Sequence, residues 1–220
     1  KYLFKFLKTK KIFFIGQPLA MIAAAKELEI VCVEFQHGYL DRFHHGYSYG
    51  SYSKKYKPQL PLPEKIMLYG DFFKDELKHT NFWIDEQLYT IGKKTLQKYR
   101  ESHLIKKSNN KNKRILITTQ GFDTKNLIKF YDNFFSVINK EYNVTIKLHP
   151  QYDKYHQDWK KLVKNYENVN LSNEIDSIKL INECDIHMTI WSTTHIEAIG
   201  LGKTSIVMPL KGYKNMQNLI

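Results

Sequence analysis

Short apolar strands alternate with amphipathic helices along most of this chain, and that alternation constrains its fold more than any other feature. Ile12-Phe13-Phe14-Ile15 reads as a buried strand, Gly16-Gln17-Pro18 as a turn, Leu19 to Leu28 as an alanine-rich helix, and Ile30 to Phe35 as a second strand. A strand–helix–strand unit pairs its strands in parallel, because only a long crossover returns the chain to the same end of the sheet. A polar segment rich in Tyr, His and Gly runs from Gln36 to about Pro63, too long for a simple connector. Ile66 to Tyr69 follows as a short strand, Asp71 to Lys78 as a short helix that Asp71 is placed to cap, Leu88 to Ile91 as a strand, and about Lys93 to Glu101 as a helix.

Lys106 to Lys113 carries four lysines and no apolar residue, the signature of a linker. Beyond it the rhythm is regular. Strands are expected at Ile115 to Thr119, Val144 to Leu148, Val169 to Leu171, Ile186 to Ile190 and Ser205 to Met208. The helices between them are expected at about Thr124 to Lys140, Tyr152 to Asn165, Ser177 to Cys184 and Thr193 to Leu201. The reading is α/β, with two parallel-sheet, Rossmann-like domains: residues 1–105, a linker at 106–113, and residues 114–220. The chain opens on Lys1 and stops on Leu219-Ile220 within this pattern, so both ends are expected to be incomplete.

Composition narrows the function classes. At 42% apolar and 14% aromatic residues the chain can build a core, which excludes a disordered tail. Its longest apolar runs are far too short to span a bilayer. Lys plus Arg is 34 against 22 Asp plus Glu, a net charge of +12, yet the arginines are only Arg42, Arg100 and Arg114. Lysine is a hydrated point charge, whereas arginine supplies the planar fork that reads bases and phosphates bidentately. The lysines are scattered rather than striped, and no nucleic-acid-binding motif is present, so no nucleic-acid partner is expected. A bias toward Lys, Asn, Ile and Tyr accounts for part of the charge; the rest suits anionic substrates or an anionic membrane surface. Cys32 and Cys184 each lie in apolar runs without metal-ligand spacing, which points to buried thiols and a reducing, cytoplasmic setting.

In open parallel sheets, ligands bind outside the carboxyl ends of the strands, so the residues that matter are those just after each strand. Four clusters stand there. Glu34-Phe35-Gln36-His37-Gly38 closes one strand, and the loop behind it adds Asp41, Arg42, His44, His45, Gly46 and Tyr47. Histidine titrates near neutrality and serves as a base or a phosphate partner, and Gly38 would let the backbone turn sharply beside it. The bland alternative is a solvated aromatic loop. Three histidines within nine residues lack the companion ligands a metal needs, and no metal is expected. Lys147-Leu148-His149-Pro150 ends a second strand, where Pro150 stops the strand and His149 would project into the crevice. Trp191-Ser192-Thr193-Thr194 precedes the helix carrying Glu197. Hydroxyl residues there cap a helix, and they also offer hydroxyls and N–H groups to a phosphate, with Glu197 placed to accept from ribose. Thr118-Thr119-Gln120-Gly121 is the fourth, and its single glycine falls short of a dinucleotide fingerprint.

Taken in order, these motifs resemble a family. Gln36-His37-Gly38 followed by His45-Gly46-Tyr47 is similar to the Gln-His-Gly segment of bacterial surface-polysaccharide transferases. Lys147-Leu148-His149-Pro150 resembles the His-Pro motif of GT-B sialyl-, polysialyl- and Kdo-type transferases and of teichoic-acid glycerophosphotransferases. Ser192-Thr193-Thr194, with Glu197-Ala198 and Gly200, is similar to the Ser/Thr motif those enzymes set against the donor phosphate. The resemblance implies a metal-independent glycosyltransferase without a cofactor. A nucleotide-activated sugar would be held by the C-terminal domain through His149, Pro150, Ser192, Thr193, Thr194, Glu197, Gln120 and Gly121. His37 would be the candidate base, with Glu34 and Asp41 beside it, in an acceptor loop formed by Gln36, Gly38, Arg42, His45 and Tyr47. The acceptor would be a saccharide or lipid-linked chain at the inner face of the cytoplasmic membrane, reached by peripheral contact. A nucleotide-sugar epimerase of the same architecture and a non-catalytic nucleotide-binding module are the alternatives.

Overall fold

The structure, a computed structural model, describes residues 1–101, 112–138, 140–151 and 155–219. The chain divides into two compact units, Lys1–Lys93 and Lys94–Ile220. The helix near residue 100, assigned from sequence to the N-terminal domain, groups with the second unit. Most of the expected linker lies outside the described residues.

The first unit contains a four-stranded parallel sheet in the order β1-β2-β3-β4 (Lys11–Ile15, Val31–Phe35, Lys65–Leu68 and Leu88–Thr90). A five-residue helix α1 (Tyr2–Phe6) precedes β1, and α2 (Leu19–Lys26) crosses from β1 to β2. Phe14, Ile22, Ala25, Ile30 and Cys32 pack into one buried cluster, while Phe13 and Ile15, on the opposite face of edge strand β1, stay exposed. That split follows from strand geometry, since successive side chains leave opposite faces. Helix α3 (Asp71–Lys78) buries Phe73 and Leu77, four apart on one face. Its N-cap is Gly70, not Asp71: Asp71 is the first helical residue, and its Oδ1 accepts from the Thr90 hydroxyl at 2.7 Å. The long Gln36–Pro63 segment contains a 3-10 helix at Ser51–Gln59 that no periodicity announced.

The second unit begins with α4 (Lys94–Glu101) and holds a five-stranded parallel sheet, β5 to β9 (Arg114–Thr118, Asn143–Lys147, Val169–Leu171, Ile186–Thr189 and Thr204–Val207), in the order β7-β6-β5-β8-β9. Alternation along β5 sorts the core into two layers. Ile115 and Ile117 face α5 (Thr124–Val137) and α6 (His156–Val163), where Leu127, Tyr131, Phe135, Trp159 and Leu162 are buried. Leu116 faces the other way, onto Ile178 and Ile181 of α7 (Ser177–Glu183) and Ala198 of α8 (Thr193–Gly200), with Leu96 and Tyr99 of α4 packed alongside. Helices on both faces of a parallel sheet make a doubly wound α/β domain. The chain runs outward from β5 through β6 to β7, then returns to β8 on the other side of β5. The loops after β5 and β8 therefore diverge, and a crevice opens between them.

Candidate functional site

That crevice is present in the C-terminal unit, with a volume of about 240 Å³. Thr118 and Thr119 line it from the end of β5, Lys147 to Pro150 from the end of β6, and Ser192, Thr193, Thr194 and Glu197 from the start of α8. Ile175 and Ser177 complete the wall. The sequence-derived residues His149, Pro150, Ser192, Thr193, Thr194 and Glu197 are thus brought together from segments far apart in the chain.

Each arm is positioned by backbone chemistry. The Thr119 N–H donates to the Lys147 carbonyl at 3.1 Å, extending the β5–β6 ladder by one rung. The Thr119 hydroxyl then accepts from the His149 N–H at 3.2 Å, which ties the His-Pro turn to β5. His149 Nδ1 accepts from the Gln151 N–H at 3.2 Å. A neutral imidazole accepting at Nδ1 carries its proton on Nε2, so His149 is a donor through Nε2. Ser192 caps α8 in extended conformation, its Oγ accepting from the Thr194 N–H at 3.3 Å. Because the hydroxyl accepts in the cap, its own proton remains for a group in the crevice. The first turn of α8 adds the positive end of the helix dipole, and Lys147 adds a full charge. Glu197 is buried, one turn into α8.

Two residues expected here sit differently. The Gln120 amide donates to Thr189 Oγ1 at 2.7 Å, bracing the β5 loop against β8. Gly121 adopts φ +67°, the left-handed region that favours glycine, and turns the chain toward α5. Both shape the rim, and neither lines the crevice. Lys147 does line it. Its signal was its place in the strand-ending Lys-Leu-His-Pro run.

The N-terminal loop is built otherwise than the sequence suggested. Glu34 and Tyr47 are both fully buried, and the Tyr47 hydroxyl donates to Glu34 Oε1. Burial pushes the Glu34 carboxyl up from 4.5 to about 7, with the tyrosine bond opposing that shift. Asp41 is buried too, and its Oδ1 accepts from the Phe43 N–H at 2.9 Å; burial raises its pKa. Gln36 donates to the Gly38 carbonyl and accepts from the Tyr69 N–H, each at 2.7 Å, stapling the ends of β2 and β3. Gly38 does not adopt positive φ, so no left-handed turn is needed there. Arg42 Nε donates to Glu76 Oε2 at 2.9 Å, with a second bond from the same guanidinium to Oε1. His37 and His45 are exposed. Of the proposed acceptor-side set, the structure leaves those two histidines open to a ligand and commits Glu34, Gln36, Asp41, Arg42 and Tyr47 to the loop's own architecture. Both cysteines are free and buried. Among the described residues, no three His, Cys, Asp or Glu side chains converge as metal ligands.

No protein-family profile matches the chain, and no curated protein matches it. Solved structures do. It is similar to a UDP-GlcNAc 2-epimerase from Neisseria meningitidis bound to UDP-GlcNAc, with TM-score 0.58 and 16% identity over 98% of this chain and 64% of that one. It is also similar to the wall teichoic acid polymerase TagF, with TM-score 0.58 and 12% identity over 94% of this chain and 55% of that one. The spinosyn rhamnosyltransferase SpnG aligns with TM-score 0.62 and 13% identity over 99% of this chain and 59% of its own. The chain thus spans less than two thirds of the length of each. At these identities the likeness establishes the fold: two parallel α/β sheet units of the kind found in GT-B glycosyltransferases.

Proposed function

We propose that the β5–β8 crevice binds the phosphate end of a nucleotide-activated sugar, and that the chain is part of a metal-independent transferase moving that sugar, or a glycerophosphate group, in the synthesis of a bacterial capsular or other surface polysaccharide. The observation that carries this reading is convergence. Donors from the ends of β5 and β6 and from the first turn of α8 meet in one crevice at the topological switch point, with Lys147 beside them. Hydrogen-bond donors and a helix dipole fixed in place would stabilise the charge that develops on a leaving phosphate. Glu197, one turn deeper, is the acceptor for ribose hydroxyls. Exposed His37 is the candidate base toward a saccharide or lipid-linked acceptor. The +12 charge supports peripheral contact with an anionic membrane surface, and no helix among the described residues is long and apolar enough to cross a membrane.

Thermal shift with UDP, CDP, CMP and GDP tests the site, because a ligand bound only by the native state raises Tm. A hydrogen bond to a charged group contributes about 1.5 to 3 kcal/mol, so His149→Ala is expected to weaken the preferred nucleotide about tenfold to a hundredfold. His37→Ala in the full-length enzyme is expected to lower turnover and leave that affinity unchanged. No shift with any of the four nucleotides, or full affinity in His149→Ala, would sink the donor-site reading. The epimerase neighbour keeps one alternative in play: a free-sugar product formed without acceptor would identify an epimerase.

A further inference from the structure

A continuous chain of hydrogen bonds leads from the crevice into the core. Thr194 Oγ1 lies 2.9 Å from Thr118 Oγ1, which lies 3.0 Å from His187 Nε2. His187 Nδ1 is 2.8 Å from Ser205 Oγ, and the same oxygen is 2.7 Å from His195 Nδ1. Sheet register brings these groups together, since Leu116, His187 and Ser205 are cross-strand neighbours on β5, β8 and β9. His187 is 0% and His195 2% exposed, and His195 Nε2 has no partner among the described residues. Burial lowers the pKa of both rings, that of His187 to about 3, so both are neutral at pH 7.

Each hydroxyl has one proton to give and two lone pairs. Thr118 Oγ1 and Ser205 Oγ have only these partners among the described residues, so accepting from both would leave the hydroxyl's own proton without a protein acceptor. The patterns that use every proton run one way or the other. In the inward direction Thr194 donates to Thr118, Thr118 to His187, His187 to Ser205 and Ser205 to His195. His195 must then carry its proton on Nε2, as a buried N–H with no acceptor. In the outward direction His195 Nδ1–H donates to Ser205, Ser205 to His187 Nδ1, His187 Nε2–H to Thr118, and Thr118 to Thr194. That leaves only a bare nitrogen lone pair in the core, and orphaned buried donors are rarer than under-used acceptors. The outward direction also leaves the Thr194 proton for the crevice.

We propose that His195, Ser205 and His187 are positioning residues, a one-way relay that fixes the Thr194 hydroxyl as a donor and so makes the crevice selective for an anionic oxygen. This rests on the phosphate reading above. It adds that discrimination against neutral and cationic groups is set by residues that never touch the ligand. An anion needs donors and stabilises the outward direction further, while a cation would meet the Thr194 proton and only the one lone pair of that hydroxyl that Thr118 leaves free.

Long-range proton–nitrogen NMR spectra of the histidine side chains read the tautomers directly. The expected result, without ligand, is His187 protonated on Nε2 and His195 on Nδ1. Reversed tautomers would overturn the relay, and this holds even if none of the nucleotides binds, so its failure is separable from failure of the donor site. Where UDP binds the wild type, Ser205→Ala is expected to weaken it about fivefold to tenfold and to leave His187 as a mixture of tautomers. Ser205→Thr, which keeps the hydroxyl, should retain both affinity and tautomer. Unchanged UDP affinity in Ser205→Ala would also overturn the proposal.

Discussion

Trp159→Ala is expected to destabilise the C-terminal unit by about 3 to 5 kcal/mol, the range for removing a buried aromatic. The indole is 0% exposed and lies against the Tyr131 ring at 5.8 Å between centroids, in the layer that joins α5 and α6 to the sheet. Deletion loses the transfer energy of the ring and leaves a cavity that its aromatic neighbours can fill only in part. Since a domain's whole stability is about 5 to 15 kcal/mol, the variant should unfold at a much lower urea concentration. A loss under about 1 kcal/mol would show that α6 is not seated on this layer as described.

Glu34→Gln should change how stability depends on pH. In the folded chain the Glu34 carboxyl is held near 7 by burial, against an ordinary 4.5. The folded state therefore holds a proton that the unfolded state gives up, and stability falls as pH rises from about 4.5 through about 7. A difference of this size corresponds to about 3 kcal/mol between the two ends of that window. Glutamine keeps an acceptor for the Tyr47 hydroxyl and does not ionise, so the variant should match the wild type at pH 5 and exceed it at pH 8. Urea midpoints at the two pH values measure this. An equal fall with pH in both proteins would mean that Glu34 is not the responsible group.

How much of this was legible from residues alone varies with the physics behind each feature. Strand β5 announced itself because a parallel strand covered on both faces is apolar through its middle, as Ile115-Leu116-Ile117 is. His149 and the Ser192 to Thr194 run were legible as crevice-lining residues because polar residues directly after such strands have few places to go but the crevice. The same rule does not reach Glu34. It stands inside Val31–Phe35, not after it, and a carboxylate within a strand buried on both faces is itself buried. That signal was available. The partner that makes the burial tolerable, Tyr47, comes from a loop whose path no periodicity sets. The His187–Ser205–His195 relay was not legible, because its members meet only through strand register between β8 and β9 and the helix that follows β8.

The crevice is mounted on β6, β5 and β8, the three strands of this sheet that have neighbours on both sides, while β7 and β9 form the edges. Local opening in a sheet begins where ladders are incomplete, and interior strands part only at nearly the cost of global unfolding. Fraying of either edge therefore leaves Thr118 and the cap at Ser192 in place. Folding already supplies the rigidity of the crevice, so a ligand that bound there would lose less of its affinity to ordering the protein. By the same logic, substitutions in edge strand β7 are free to drift in sequence without moving the groups that line the crevice, whereas edge strand β9 is held at Ser205 by its bonds to His187 and His195.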